Sequence, residues 1–219
     1  MTDTRNCAQC GIAFQPRREH ARFCCVRCRA TWSREHTGDP AAEETALWWS
    51  VTAMAETIQG LPTVRVWDRP RALAAIGEAV WQVTLVDATL VRHHLDAYDC
   101  ALAMYGPAQR GLIEQTMAGL RFVRNHIGDE ASLARFIRPG PPGSARATIT
   151  GWKWKPVPEP ALTSLAPRAR AWETSRYRAY QEQVARRTTG ETFGEAAAFV
   201  DLAAAHVPSI PVTGTHVSR

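Results

Sequence analysis

The sequence predicts a mainly α protein, a helical bundle preceded by a small cysteine-rich zinc module and accompanied by one short β strand or hairpin. Three observations predict it. Four closely paired cysteines stand within the first thirty residues, apolar residues recur at helical spacing from residue 47 onward, and Gly, Pro and Asp punctuate those stripes where helices begin and end. At 219 residues and 45% hydrophobic content, the chain can bury one sizeable core beside a satellite module.

The cysteines come first in order and in specificity. The segment CAQCGIAFQPRREHARFCCVRCRATW holds Cys7-x2-Cys10 and, thirteen residues later, Cys24-x3-Cys28. Zinc takes a tetrahedron of soft ligands at about 2.3 Å, and a tight knuckle such as Cys7 to Gly11 lets two sulfurs reach one ion. Gly11 supplies permissive backbone after the knuckle. The second pair falls at an expected helix start, where the helix dipole favours thiolates. Cys25 in place of Cys24 would give C-x2-C spacing, equally good for zinc, so spacing leaves the third ligand open. An all-thiolate site is closed and holds a fold together, which argues against hydrolysis at the metal.

Residues 7 to 29 resemble the short bacterial treble-clef zinc fingers, whose pattern runs C-x2-C-G, an aromatic, a Pro and Arg-rich stretch, then an aromatic and C-S-x-x-C-R. Phe14, Pro16, Arg17, Arg22, Phe23 and Arg29 fall in matching places, and Cys25 replaces the usual Ser. The resemblance implies a treble clef with one structural Zn2+ on Cys7, Cys10, Cys24 and Cys28, Cys25 serving as a helix-start residue, and Phe14 and Phe23 as the few buried side chains. The remainder of the chain resembles uncharacterised proteins of high-GC actinobacteria, which transfers no function.

Charge is distributed unevenly along the chain. Residues 1–37 carry seven Arg against three carboxylates, residues 38–118 five Arg against ten, and residues 119–219 twelve Arg and two Lys against eight. Both ends are therefore candidates for phosphate contact, and the acidic middle is not. In the finger the candidates are Arg17, Arg18, Arg22, Arg27, Arg29 and Arg34.

The expected domains are a finger over 1–37, a helical domain over 38–206 with a linker near 138–146, and a disordered tail over 207–219. Asp39-Pro40 opens a helix to about Gly60, with Leu47, Trp48, Val51, Met54, Ala55 and Ile58 as its apolar stripe. Asp68-Arg69-Pro70 opens a second, with Leu73, Ile76, Val80, Val83 and Leu90 on one stripe and Trp81, Leu85, Ala88 and Leu95 on another. Apolar on two faces, it is expected at the bundle centre. A third helix starts at Asp96 and ends before Gly106-Pro107. A fourth spans Ala108 to Ile127, and a short fifth, capped by Asp129, ends at Ile137. ATITGWKWK, residues 147–155, reads as a strand that buries Trp152 and Trp154. Helices over Arg168–Arg187 and Glu191–His206 close the fold, the second opened by a Thr188/Glu191 capping box.

The remaining polar residues suggest less specific chemistry. Asp87 and His94 lie seven residues apart near one stripe; with Glu56 they suggest a metal site, against the plainer expectation of an interhelix pair with Arg92 or Arg121. Arg168, Arg170, Arg176, Arg178, Arg186 and Arg187 form a possible phosphate-facing ridge, with Tyr177 and Tyr180 near it. No P-loop, dinucleotide-binding, zincin or nucleophile-elbow motif occurs.

Three functions follow in order. The first is a non-enzymatic, zinc-stapled nucleic-acid-binding accessory or regulatory protein. The second is a module that binds another protein through finger and bundle, and the third a metal-dependent enzyme or sensor at Asp87/His94. With no continuous apolar span and a polar, charged start, a soluble cytoplasmic protein without membrane association is expected.

Overall fold

The computed structural model describes residues 4–15, 22–25, 27, 28, 31, 32, 40–128, 130–140 and 148–207. Asp39, Asp129, most of the linker and the tail after Val207 lie outside the described residues. Contacts divide the chain into two compact units, Met1–Ala46 and Leu47–Arg219.

In the first unit, β1 (Arg5–Asn6) pairs antiparallel with β2 (Ala13–Phe14), Arg5 opposite Phe14. The connecting knuckle closes through Gly11 N–H to Cys7 O at 2.9 Å and Cys7 N–H to Ile12 O at 3.0 Å. Gly11 sits at φ +71°, a left-handed conformation that a side chain would strain.

The mainly helical class is as expected: among the described residues there are seven α-helices and two two-stranded hairpins. The helix α1 spans Pro40–Gly60, with Leu47 and Met54 buried and Val51 and Ile58 half-buried against the core. The chain then passes through a 3-10 turn, Leu61–Thr63, to α2, Arg69–His93, where the Asp68 carboxylate accepts from Arg71 N–H at 3.2 Å. That cap, followed by Pro70, is why the helix begins there. The elements α3 (Leu95–Ala103), α4 (Pro107–His126) and α5 (Glu130–Phe136) follow.

The helix α2 is long and apolar enough to cross a membrane by length and composition. In the structure it packs against α4, α5 and the last helix, α7 (Thr189–Ala205), through Ile76, Ala79, Val80, Val83 and Leu90. Its second stripe departs from expectation. Trp81, Leu85 and Leu95 remain 48%, 45% and 45% exposed, whereas Thr84 and Asp87 turn inward. The inward polar groups are satisfied: the Thr84 hydroxyl donates to Val80 O at 2.7 Å, and Asp87 meets Arg121 of α4.

The expected strand over 147–155 is shorter. A 3-10 turn occupies Ile149–Gly151, and only β4 (Lys153–Trp154) pairs, antiparallel with β3 (Ile137–Arg138). Trp152 and Trp154 are both buried, as the alternation with Lys153 predicts, and Trp154 Nε1 donates to Thr192 Oγ1 at 3.1 Å. On its other edge this segment meets the chain leaving α6 (Pro167–Ala179): Trp154 N–H donates to Arg187 O at 3.0 Å and Arg186 N–H to Trp154 O at 2.7 Å.

That pairing explains why the expected helix over Arg168–Arg187 is not continuous. After α6 the ladder widens into a π-helical turn, Tyr180–Val184, closed by Ala185 N–H to Tyr180 O at 2.8 Å. Arg186 then takes φ +76°, turning the chain so that Arg187 and Thr188 can run beside β4. Thr188 and Glu191 form the expected capping box at the start of α7.

Candidate metal centre and polar clusters

The hairpin brings Cys7 and Cys10 to one side, and the segment after Arg22 brings Cys24 and Cys28. Ala8 N–H to Arg22 O, 2.9 Å, ties the two together. The Sγ atoms of Cys7, Cys10, Cys24 and Cys28 all lie within 4.8 Å of one another. Cys10 and Cys24 sulfurs are 3.7 Å apart and those of Cys24 and Cys28 3.5 Å. A disulfide needs about 2.05 Å. Four sulfurs bound at about 2.3 Å to one ion sit roughly 3.8 Å apart along the edges of their tetrahedron. The quartet therefore has metal-site spacing, and its all-sulfur donor set suits a soft or borderline cation such as zinc.

Electrostatics explain why such a cluster needs a cation. Burial pushes the Cys7 thiol up, but N–H groups of Cys10, Cys24 and Gln9 converge on its sulfur and hold it down at about 6. Cys28 is pushed well above the ordinary thiol value, first by the adjacent Cys24 sulfur and then by Cys25. Four sulfurs this close cannot all carry negative charge unless a positive ion sits among them.

Cys25 lies outside this quartet. Its exposed sulfur accepts from Cys28 N–H at 3.4 Å, the i to i+3 bond that a serine makes at a helix start. Cys24 contributes a second tie through its own N–H, 3.4 Å from Cys7 Sγ.

Of the finger arginines, Arg22 and Arg27 are exposed, and Arg22 lies 4.7 Å over the Trp32 ring and 5.8 Å over Phe23. Phe23 and Trp32 themselves pack at 5.6 Å, with Phe14 half-buried on β2. Arg17, Arg18, Arg29 and Arg34 lie outside the described residues.

Asp87 is fully buried, and both carboxylate oxygens are engaged. Arg121 donates Nε to Oδ2 at 2.5 Å and Nη2 to Oδ1 at 2.6 Å, while Tyr98 donates to Oδ1 at 3.3 Å. His94 stands at the junction of α2 and α3, and Glu56 is exposed on α1. Among the described residues, the four cysteines are the one group of three or more His, Cys, Asp or Glu side chains placed to share an ion. The plainer interhelix pair, with Arg121, describes Asp87.

Two further polar clusters had no sequence signal, because each joins residues far apart in the chain. Glu173 of α6 is buried and receives Asn125 Nδ2 at 3.1 Å, His126 Nε2 at 3.1 Å and Arg176 Nη1 at 3.2 Å. Arg187 donates to Glu195 at 2.7 Å, and Thr116 donates to the same carboxylate at 3.0 Å. These bonds use up two members of the arginine ridge, Arg176 and Arg187. Tyr177 and Tyr180 face inward, donating to Val157 O and Lys155 O. Comparisons with protein-family models, curated proteins and solved structures find no match to this chain.

Proposed function

We propose that this is a zinc-stapled, non-enzymatic nucleic-acid-binding protein of accessory or regulatory type, with the treble-clef-like finger as a contact surface. The observation that carries the reading is the closed cysteine quartet inside a segment bearing seven Arg against three carboxylates. A metal held by four thiolates has no open position for substrate, so its role is to fix the backbone that displays those arginines. Of that set Arg22 and Arg27 are described and exposed, and Arg5 is half-buried on β1.

Replacing Arg17, Arg22 and Arg29 with Ala tests this. If each neutralises one phosphate, the slope of log affinity against log salt for mixed-sequence duplex DNA flattens by about 2 to 3. Zinc content stays unchanged. Wild-type protein that shows no salt-sensitive binding between 50 and 200 mM, or a triple variant with the parental slope, refutes the finger as a phosphate contact.

A second reading, a module that binds another protein, is favoured by the exposed Trp81 and Leu85 on α2 and Leu95 at the start of α3. Loss of partner capture on Leu85→Glu with intact nucleic-acid binding would support it.

A further inference from the structure

The outer face of α6 differs from every other helical surface described above in carrying arginines, hydroxyls and an exposed indole without a carboxylate. Its one acidic residue, Glu173, is buried and bonded toward α4. Turning outward at helical spacing are Arg168, Arg170, Ala171, Trp172, Thr174, Ser175 and Arg178. Arg170, Ala171, Thr174, Ser175 and Arg178, together with Pro167, line a shallow groove of about 390 Å³. Arg170 is anchored, donating to the carbonyls of Leu162, Thr163 and Leu165 at 3.2 Å, which fixes one cationic wall. Arg178 lines the same groove about two turns further along the helix and has no carboxylate partner among the described residues. Beside the groove, Trp172 is 56% exposed, with the Arg168 guanidinium 4.8 Å from its ring.

Each feature restricts the partner. Two guanidiniums along one groove with hydroxyl donors between them suit phosphate oxygens, which accept from such donors. An exposed indole beside a phosphate cradle suits a base, and only a base with an unpaired face can stack there. An acidic protein would also satisfy the arginines, and a polyanion without bases separates it from a strand that stacks on Trp172.

We propose that the outer face of α6 is a single-stranded nucleic-acid site, with Arg170, Arg178, Thr174 and Ser175 holding a backbone phosphate and Trp172, backed by Arg168, stacking the adjoining base. This deepens the nucleic-acid reading above and rests on it for the class of ligand, but it uses a different surface.

The test uses the full-length zinc-loaded chain and fluorescence anisotropy on labelled oligo-dT, oligo-rU and a duplex of equal length, with poly-glutamate as a polyanion lacking bases. Trp172→Ala is expected to weaken binding to the single strands about tenfold, while Trp172→Phe keeps most of it. Duplex affinity stays within about twofold, because paired bases have no free face to stack. Arg168→Ala with Arg178→Ala, which removes one phosphate contact and the cation behind the indole, should flatten the single-strand salt slope by about 0.7. Comparable loss for dT and rU assigns the site to phosphate and base, and a loss confined to rU assigns it to RNA.

Trp172→Ala that binds single strands like wild type overturns the proposal, as does an equal loss for duplex or poly-glutamate, which would indicate charge alone or an acidic protein partner. If Trp172→Ala loses helicity by circular dichroism, the double arginine variant and Trp172→Phe decide on the same criteria. The two surfaces separate cleanly. A finger triple variant with wild-type affinity, in which the Trp172 effect persists, refutes the finger alone. A Trp172 variant without effect, beside a finger variant that loses binding, refutes only this site.

Discussion

Alanine at Gly119 is expected to destabilise the helical unit, and alanine at Gly111, about two turns earlier in the same helix, to stabilise it. Both glycines lie in α4, so both substitutions gain about 1 kcal/mol of helix propensity. They differ in what the new methyl group meets. At Gly111 nothing lies within 4 Å of an added Cβ. At Gly119 it would stand 2.6 Å from Val184 Cγ2, 3.0 Å from Tyr180 Cα and 3.2 Å from Tyr180 N, so the π-helical turn itself must move. Overpacking of this kind costs about 1 to 3 kcal/mol, and the obstacles are a short branched side chain and backbone behind it, so the upper half of that range applies. Net of the propensity gain, Gly119→Ala should lose about 1 to 2 kcal/mol while Gly111→Ala gains up to about 1 kcal/mol. For a chain of this size that is a fall of roughly 2 to 8 °C in melting midpoint against a rise of about 2 to 4 °C. Urea unfolding followed by circular dichroism at 222 nm reads both, with unchanged m-values. A Gly119→Ala protein as stable as the parent would refute the close approach of α4 to Tyr180 and Val184.

Arg121→Met strands a fully buried carboxylate and is expected to cost about 3 kcal/mol, whereas Asp87→Asn leaves an arginine that is already 30% exposed and costs less; chemical denaturation gives the order. Tyr98 and Tyr180 both ionise above the ordinary value of 10.0, because burial disfavours the phenolate, with the Asp87 charge adding to the effect at Tyr98. Their folded pKa is raised, so the stability they confer is complete below about pH 10 and is lost as pH rises through the raised values. Phenolate absorbance at 295 nm should accordingly appear in part only with alkaline unfolding. Cys25→Ser is expected to retain full metal occupancy, since a hydroxyl can accept from Cys28 N–H, while Cys24→Ser loses it; elemental analysis of both variants checks the assignment.

Helix boundaries were legible wherever a local device sets them. Asp68 with Pro70, Gly106 with Pro107, and Thr188 with Glu191 each act within a few residues, and the helices begin where those devices stand. The cysteine quartet was legible for the same reason, because knuckle spacing is a local constraint on where sulfurs can go. What stayed hidden depends on partners distant in sequence. Nothing between Arg168 and Arg187 announces a π-helical turn; the break follows from pairing with Trp154 and from the space Gly119 leaves. Helical periodicity likewise put Trp81 and Leu85 on an apolar stripe but could not say that both would stay about half exposed. The choice between Arg92 and Arg121 as partner of Asp87 was a question of which helix packs opposite, which α4 answers.

The short stretch from Thr148 to Lys155 has a consequence for how this chain can be cut. It contributes two of the largest fully buried side chains, Trp152 and Trp154, yet has almost no regular structure of its own. Its neighbours on either side are distant pieces of chain: Lys155 N–H bonds to Phe136 O at 2.6 Å, and Thr189 N–H bonds to Trp152 O at 2.8 Å. A protease that nicks the extended run between Pro156 and Ala166 should therefore leave two polypeptides that travel together under native conditions and part only in denaturant. By the same logic, a fragment starting at Pro156 leaves α7 without the indole of Trp154 that packs on Thr192 and Phe193, and any attempt to dissect the bundle into smaller folding pieces has to carry these eight residues with both halves.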